Sequence, residues 1–137
     1  MTAGYSGRSL ADKLGIKPGM RLAAVGAPPS YAALLGPLPA DATLTRRVGR
    51  DAPFVHCFVE RRRELEREFP RLEAALARDG ALWVSWPKRA AGAETDLTED
   101  IVRAVGLAHG LVDVKVCAVD ERWSGLKFVR RRADRKH

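Results

Sequence analysis

Cysteine is nearly absent from this chain: Cys57 and Cys117 are the only two. Each lies inside an apolar run, His56-Cys57-Phe58-Val59 and Val116-Cys117-Ala118-Val119, with no CxxC and no metal-ligand spacing. That excludes a cysteine-built metal centre and suits two small buried hydrophobes. Long apolar runs are missing as well. No stretch approaches the roughly 18 residues of a membrane span. The opening Met1-Thr2-Ala3-Gly4-Tyr5-Ser6-Gly7 has neither a basic segment nor an apolar core, so a secretory signal is not expected and a cytoplasmic location is.

The usual catalytic signatures are also lacking. Ser85-Trp86-Pro87 is not a nucleophile elbow, which needs G-x-S-x-G. His56, His109 and His137 show no readable mutual spacing. His56 sits mid-strand and reads as a satisfied core histidine. His109 ends a helical stretch, where positive charge is favourable. Internal repeats and Pro/Gly/Ser-rich linkers are absent, so the 137 residues are expected to form one domain over 1–131, followed by a basic tail over 132–137.

Positive charge is what the chain has in excess, with a formal net charge of +7 and a pI near 10.0. Its distribution is uneven. Residues 127–137 hold six Lys or Arg (Lys127, Arg130, Arg131, Arg132, Arg135, Lys136) against Asp134 alone, which accounts for +5 of the +7. The basicity therefore reads as a solvated tail, with nucleic-acid binding through that tail as one possible role.

The chain order suggests an α/β fold. A short helix over 9–14 stops at Gly15. The apolar run Arg21-Leu22-Ala23-Ala24-Val25-Gly26 has the look of a strand buried on both faces. Ala27-Pro28-Pro29 then leads into a short helix ending at Gly36, since proline is tolerated in a first helical turn. Residues 42–48 alternate and predict an edge strand; residues 53–59 predict a central one. Residues 60–78 show helical spacing at Leu65, Phe69, Leu72 and Leu76, with Pro70 predicting a kink or a split and Asp79-Gly80 a stop. Ala81 to Trp86 predicts a buried interior strand with Trp83 and Trp86 on opposite faces. Asp96-Leu97-Thr98-Glu99 fits a D-x-x-E capping box for a helix from 97 to about 109, with Ile101, Val105 and Ala108 facing inward. Two closing strands, 112–119 and 126–131, are near enough to pair as an antiparallel hairpin. The order β-α-β-β-α-β-α-β-β implies a Rossmann-like, three-layer α/β domain, with a mostly parallel sheet of about six strands and an antiparallel C-terminal hairpin.

Three segments carry a resemblance. Lys17-Pro18-Gly19-Met20-Arg21-Leu22 resembles the lead into the first strand of the class I S-adenosylmethionine-dependent methyltransferase fold. Gly80-Ala81-Leu82-Trp83-Val84 resembles that fold's strand after its penultimate helix, and the closing strand–turn–strand resembles its reversed hairpin. The co-occurrence of W-V-S-W-P-K at 83–88 and D-E-x-W-S-G-L-K-F at 120–128 also resembles a family of small bacterial proteins known as a domain of unknown function. The first resemblance implies S-adenosylmethionine as a possible cofactor, a glycine-rich loop after the first strand, and an acid after the second that accepts the ribose hydroxyls. This chain has Gly26-Ala27-Pro28-Pro29-Ser30-Tyr31 at the loop and Arg46-Arg47 in place of the acid, a pair better suited to a phosphate. It is also shorter than a full methyltransferase domain, by about one βα unit.

Ligands of open α/β sheets bind outside the carboxyl ends of the strands. The residues expected there are Gly26, Tyr31, Trp86, Lys88, Asp96 and Trp123. Tyr31, Trp86 and Trp123 would wall a pocket, Lys88 would supply a fixed cation, and Asp96 would mark a helix N-terminus. Equally, Lys88 could pair with Asp96 or Glu99, Trp123 could pack on Trp86, and Asp120-Glu121 could simply form a turn. Three functions follow: a non-catalytic domain binding a small ligand or protein partner, a methyltransferase-like enzyme with an altered cofactor loop, and a nucleic-acid binder.

Overall fold

The computed structural model describes residues 9–89 and 92–135. Its elements in chain order are α1 (Leu10–Leu14), β1 (Arg21–Val25), α2 (Tyr31–Leu35), β2 (Thr43–Thr45), β3 (Ala52–Phe58), α3 (Arg62–Ala75), β4 (Leu76–Pro87), α4 (Glu99–Ala108), β5 (Leu111–Ala118), β6 (Trp123–Arg130) and α5 (Arg132–Arg135). The six strands form one sheet in the order β2-β1-β3-β4-β6-β5. The β2–β1, β1–β3 and β3–β4 pairs are parallel, while β4–β6 and β6–β5 are antiparallel. The strands expected at the edge and in the interior take those places.

Two apolar clusters, one on each face of the sheet, make the fold three-layered. One packs α3 and α4 through Leu65, Phe69, Leu72, Val102 and Val105 against Val55, Val84 and Leu126. The other packs α1 and α2 through Leu10, Leu14, Tyr31 and Leu35 against Phe54, Phe58 and Trp83. Trp83 and Trp86, three apart on one strand, fall on opposite sides as the period of two requires. The Trp83 indole N–H also donates to the Leu14 carbonyl at 3.0 Å, which pins the end of α1 to the sheet.

Five details differ from the sequence expectations. Of the kink or split expected at Pro70, the split does not occur: α3 runs as one helix over Arg62–Ala75. Pro70 is exposed, so the Glu66 carbonyl that loses its partner faces water. Asp79-Gly80 is not a stop: β4 begins at Leu76 and passes straight through it. There the β3–β4 register slips, and a Cβ on Gly80 would lie 2.7 Å from the Ala52 carbonyl oxygen, so the glycine accommodates an irregular strand crossing.

The helix cap also moves. Thr98, not Asp96, caps α4, accepting from the Ile101 amide at 3.2 Å. Asp96 is drawn to the neighbouring helix, where it accepts from the Arg62 amide at 2.8 Å. The inner face of α4 is Val102, Val105 and Gly106, while Ala108 is exposed, because Gly106 lets the helix settle onto the Phe128 ring. Finally, the basic C-terminal stretch is not all tail. Lys127 and Arg130 belong to β6, and Arg132 and Arg135 to α5. Arg130 donates to the carbonyls of Glu73 and Leu76, both at 2.8 Å, and so closes the C-terminal end of α3.

A Cβ at position 106 would stand 2.0 Å from the Phe128 ring, which is itself fully buried. Gly106→Ala should therefore destabilise the protein by about 1–3 kcal/mol, despite the roughly 1 kcal/mol that alanine gains over glycine in a helix. Urea denaturation of the variant measures the difference.

Candidate functional site

Gly26 ends β1, Val59 and Glu60 follow β3, and Lys88 follows β4, so these residues reach the same edge of the sheet. The antiparallel β6 brings Trp123 there too, paired with Pro87. The chemistry of the edge is set by what each group already bonds.

The most enclosed polar groups lie just beneath it. His56, in the middle of β3, and Ser85, on β4, are both fully buried. The imidazole Nδ1 lies 2.8 Å from the Tyr31 hydroxyl, and Nε2 lies 2.7 Å from Ser85 Oγ. A neutral imidazole offers one donor and one acceptor, and the two hydroxyls take the complementary roles. Burial holds the ring neutral, lowering its pKa to about 3. Burial likewise pushes the Tyr31 phenol well above its ordinary value. Around this chain the aromatic rings close: His56 stacks on Phe58 at 4.3 Å, Tyr31 meets Phe58 edge-on at 5.3 Å, and Trp123 meets Phe58 edge-on at 5.0 Å. Ser85 and His56 thus have the contact of a nucleophile and its base, but neither has solvent access. The reading of His56 as a satisfied core histidine holds. Its particular partners were not visible in the sequence, where Tyr31, His56 and Ser85 are 25 and 29 positions apart.

The structure separates the expected pocket walls. Tyr31 and Trp123 share the α1/α2 face, linked through Phe58, whereas Trp86 lies on the other face in the cluster that contains Leu97. Lys88 does not pair with Asp96 or Glu99: its ammonium donates to the Asp120 carbonyl at 2.6 Å. Asp120 shapes the turn, its carboxylate accepting from the amides of Arg122 at 2.8 Å and Trp123 at 2.7 Å. Glu60 accepts from Arg122 Nη2 at 2.7 Å through its carboxylate and from the Thr95 hydroxyl at 2.6 Å through its carbonyl. Glu64 accepts from the amides of Glu60 and Arg61, both at 2.9 Å. The residues around Lys88 and Asp96 are therefore bonded to one another.

What stays open is a small cleft between the ends of β1 and β2. Its volume is about 200 Å³, and Ala27, Pro28, Pro29, Tyr31, Leu44 and Arg46 line it. Pro28 and Pro29 offer no amide donors to it. Gly26, at φ 70°, is fitted to its own fold: a Cβ there would lie 2.7 Å from the Phe58 carbonyl oxygen. A larger hollow of about 710 Å³ lies at the opposite edge, beside Glu73, Arg78, His109 and Arg130. Its Arg130 is already committed to α3, so size alone does not make that hollow the better site.

No family model matches the chain, and no curated protein matches it. Solved structures do. A SAM-dependent methyltransferase from Aquifex aeolicus superposes with a TM-score of 0.60 at 12% identity, over 87% of this chain and 86% of its own. The ribosomal protein L11 methylase of Lactobacillus delbrueckii subsp. bulgaricus gives 0.54 at 16% identity, over 89% and 75%. Magnesium protoporphyrin IX methyltransferase of Synechocystis, solved with bound SAM, gives 0.57 at 12% identity, over 89% and 74%. The chain has the fold of class I SAM methyltransferases. At these identities the likeness is one of fold.

The buried imidazole makes stability depend on pH in a definite direction. The unfolded chain binds a proton at His56 below its ordinary pKa near 6.5, while the folded chain does not until about 3. Stability should therefore decrease as the pH is lowered through that window, by up to about 1.4 kcal/mol per pH unit from this group. Urea titrations at several pH values should show the slope, and His56→Gln should flatten it.

Proposed function

We propose that this chain is a non-catalytic binding domain on the methyltransferase-like fold, taking a small anionic ligand with a flat apolar body in the cleft beside Tyr31 and Arg46. The observation that carries this reading is the state of the carboxyl edge, where fold relatives bearing a cofactor would keep free donors and acceptors. Here Glu60, Glu64, Asp96 and Asp120 each accept from this chain's own groups, and Lys88 donates to its own backbone.

The residues present do not fit S-adenosylmethionine. The loop after β1 carries two prolines where donors would be wanted, and the space above Gly26 belongs to the Phe58 carbonyl. The residue just past β2 is Arg46, which repels a sulfonium and cannot accept from ribose hydroxyls. The cleft of about 200 Å³ is below the roughly 300 Å³ at which pockets for drug-sized ligands begin. It does suit a smaller molecule: Pro28, Pro29, Tyr31 and Leu44 give apolar walls, and Arg46 gives a fork for a carboxylate or phosphate.

Differential scanning fluorimetry with S-adenosylmethionine and its demethylated product, each at millimolar concentration, is expected to leave the melting temperature unchanged. A saturable rise with either, accompanied by methyl transfer to any acceptor, would replace this reading with that of a methyltransferase. An NMR screen of small aromatic carboxylates and phosphates should find ligands that shift the amides of Ala27, Tyr31 and Thr45, and Arg46→Gln should weaken them at least tenfold.

A further inference from the structure

The α1 face of the sheet carries a second charged feature, away from the cleft. Lys115 on β5 and Lys127 on β6 are directly opposite each other in the antiparallel register, so their side chains leave the same face side by side. Like charges in that position are destabilising. Lys127 is half-buried, and its ammonium lies 3.6 Å from where a Cβ would stand on Gly15, just past the end of α1. Lys17, two residues beyond, is near enough for its charge to be felt at Lys127. Burial and the charges of Lys115 and Lys17 all lower the Lys127 pKa, and among the described residues no carboxylate acts on it.

The ordinary explanation for lysines at a helix end is that they satisfy its last carbonyls. That role is already filled. The Ala11 carbonyl accepts from the Ile16 amide at 3.0 Å, Asp12 from the Gly15 amide at 3.1 Å, Lys13 from Lys115 Nζ at 2.7 Å, and Leu14 from the Trp83 indole at 3.0 Å. Lys115 thus has an internal acceptor, but the helix end has none left for Lys17 or Lys127. Neither makes an ion pair or hydrogen bond to the described residues. The half-buried Lys127 ammonium thus stands beside Lys115 with no acceptor of its own among the described residues, and Lys17 adds positive charge nearby.

We propose that Lys17, Lys115 and Lys127 hold a phosphate group at the C-terminal end of α1. A phosphate diester or monoester supplies several acceptor oxygens for ammonium donors and offsets the cross-strand repulsion. It could arrive as part of a nucleic acid, for which the net charge of +7 provides general attraction, or as a small compound such as pyrophosphate.

The test uses the full chain, pyrophosphate, and a labelled single-stranded oligonucleotide, with Lys127→Met and Lys17→Gln as variants and Arg132→Gln/Arg135→Gln as a control for the C-terminal charge. Without anion, Lys127→Met should melt no lower than the parent, because a repelled charge is removed; a lower melting temperature overturns the proposal. Fluorescence anisotropy and thermal shift then read the anion. Oligonucleotide binding that falls severalfold in each lysine variant, with the salt slope reduced by about 0.7 per lysine removed, supports the site with nucleic acid as the source. Pyrophosphate stabilisation that both lysine variants lose, without oligonucleotide binding, supports it with a small phosphate as the source. The proposal is overturned if neither probe binds, or if binding is lost in the arginine control and kept in the lysine variants.

Discussion

The requirement that both nitrogens of a buried imidazole be satisfied organises the carboxyl edge of this sheet. His56 lies at the centre of the central strand, where water cannot reach it. It must be neutral there, and it must find one donor and one acceptor. Ser85 on β4 supplies one partner. The other is the Tyr31 hydroxyl, which has to point inward from the first residue of α2. Once Tyr31 is fixed, α2 is fixed, and with it the short loop of residues 26–30. The cleft above that loop is what remains after these constraints are met, and it is small.

A second consequence concerns the helices on the other face. The amino ends of α3 and α4 meet at the same edge and satisfy each other: Asp96, before α4, accepts from α3, and the Thr95 hydroxyl donates to Glu60, before α3. Exposed donors at a helix N-terminus are a ready-made anion site. Here the Arg62 donor is spent on a neighbouring side chain. The sheet edge that follows β3 and β4 is therefore a self-bonded surface. Arg46 at the cleft and Lys17 and Lys127 beside α1 are among the charged groups that keep outward-facing capacity.

The sequence showed the layer architecture well, because it rests on periodicity. The continuous apolar runs of β1 and β3, the weak edge strand β2 and the closing hairpin were all legible, as was the opposition of Trp83 and Trp86. Boundaries that depend on long-range partners were not. Asp79-Gly80 has the composition of a turn and becomes strand because Gly80 fits under the Ala52 carbonyl. Asp96 has the spacing of a cap and is captured by a helix 34 positions away. The site suffered in the same way. Aromatic residues at strand ends suggest walls, but only tertiary packing shows that Trp86 and Trp123 face opposite clusters, or that Tyr31 turns its hydroxyl inward. The cation cluster was hidden by counting Lys127 with the tail, when the hairpin register sets it opposite Lys115.

The inward lock of Tyr31 is the step on which the closed edge depends, and its hydroxyl proton reports it. In proton NMR of the full chain, a Tyr31 hydroxyl bonded to a buried imidazole should give a resolved resonance that exchanges slowly with water and shows nuclear Overhauser contacts to the His56 ring. The His56 ring signals should stay at their neutral positions throughout the mildly acidic range in which the protein is folded. A hydroxyl averaged into the water signal, together with a His56 ring that titrates near 6.5, would show that the chain is open to solvent and would contradict the account.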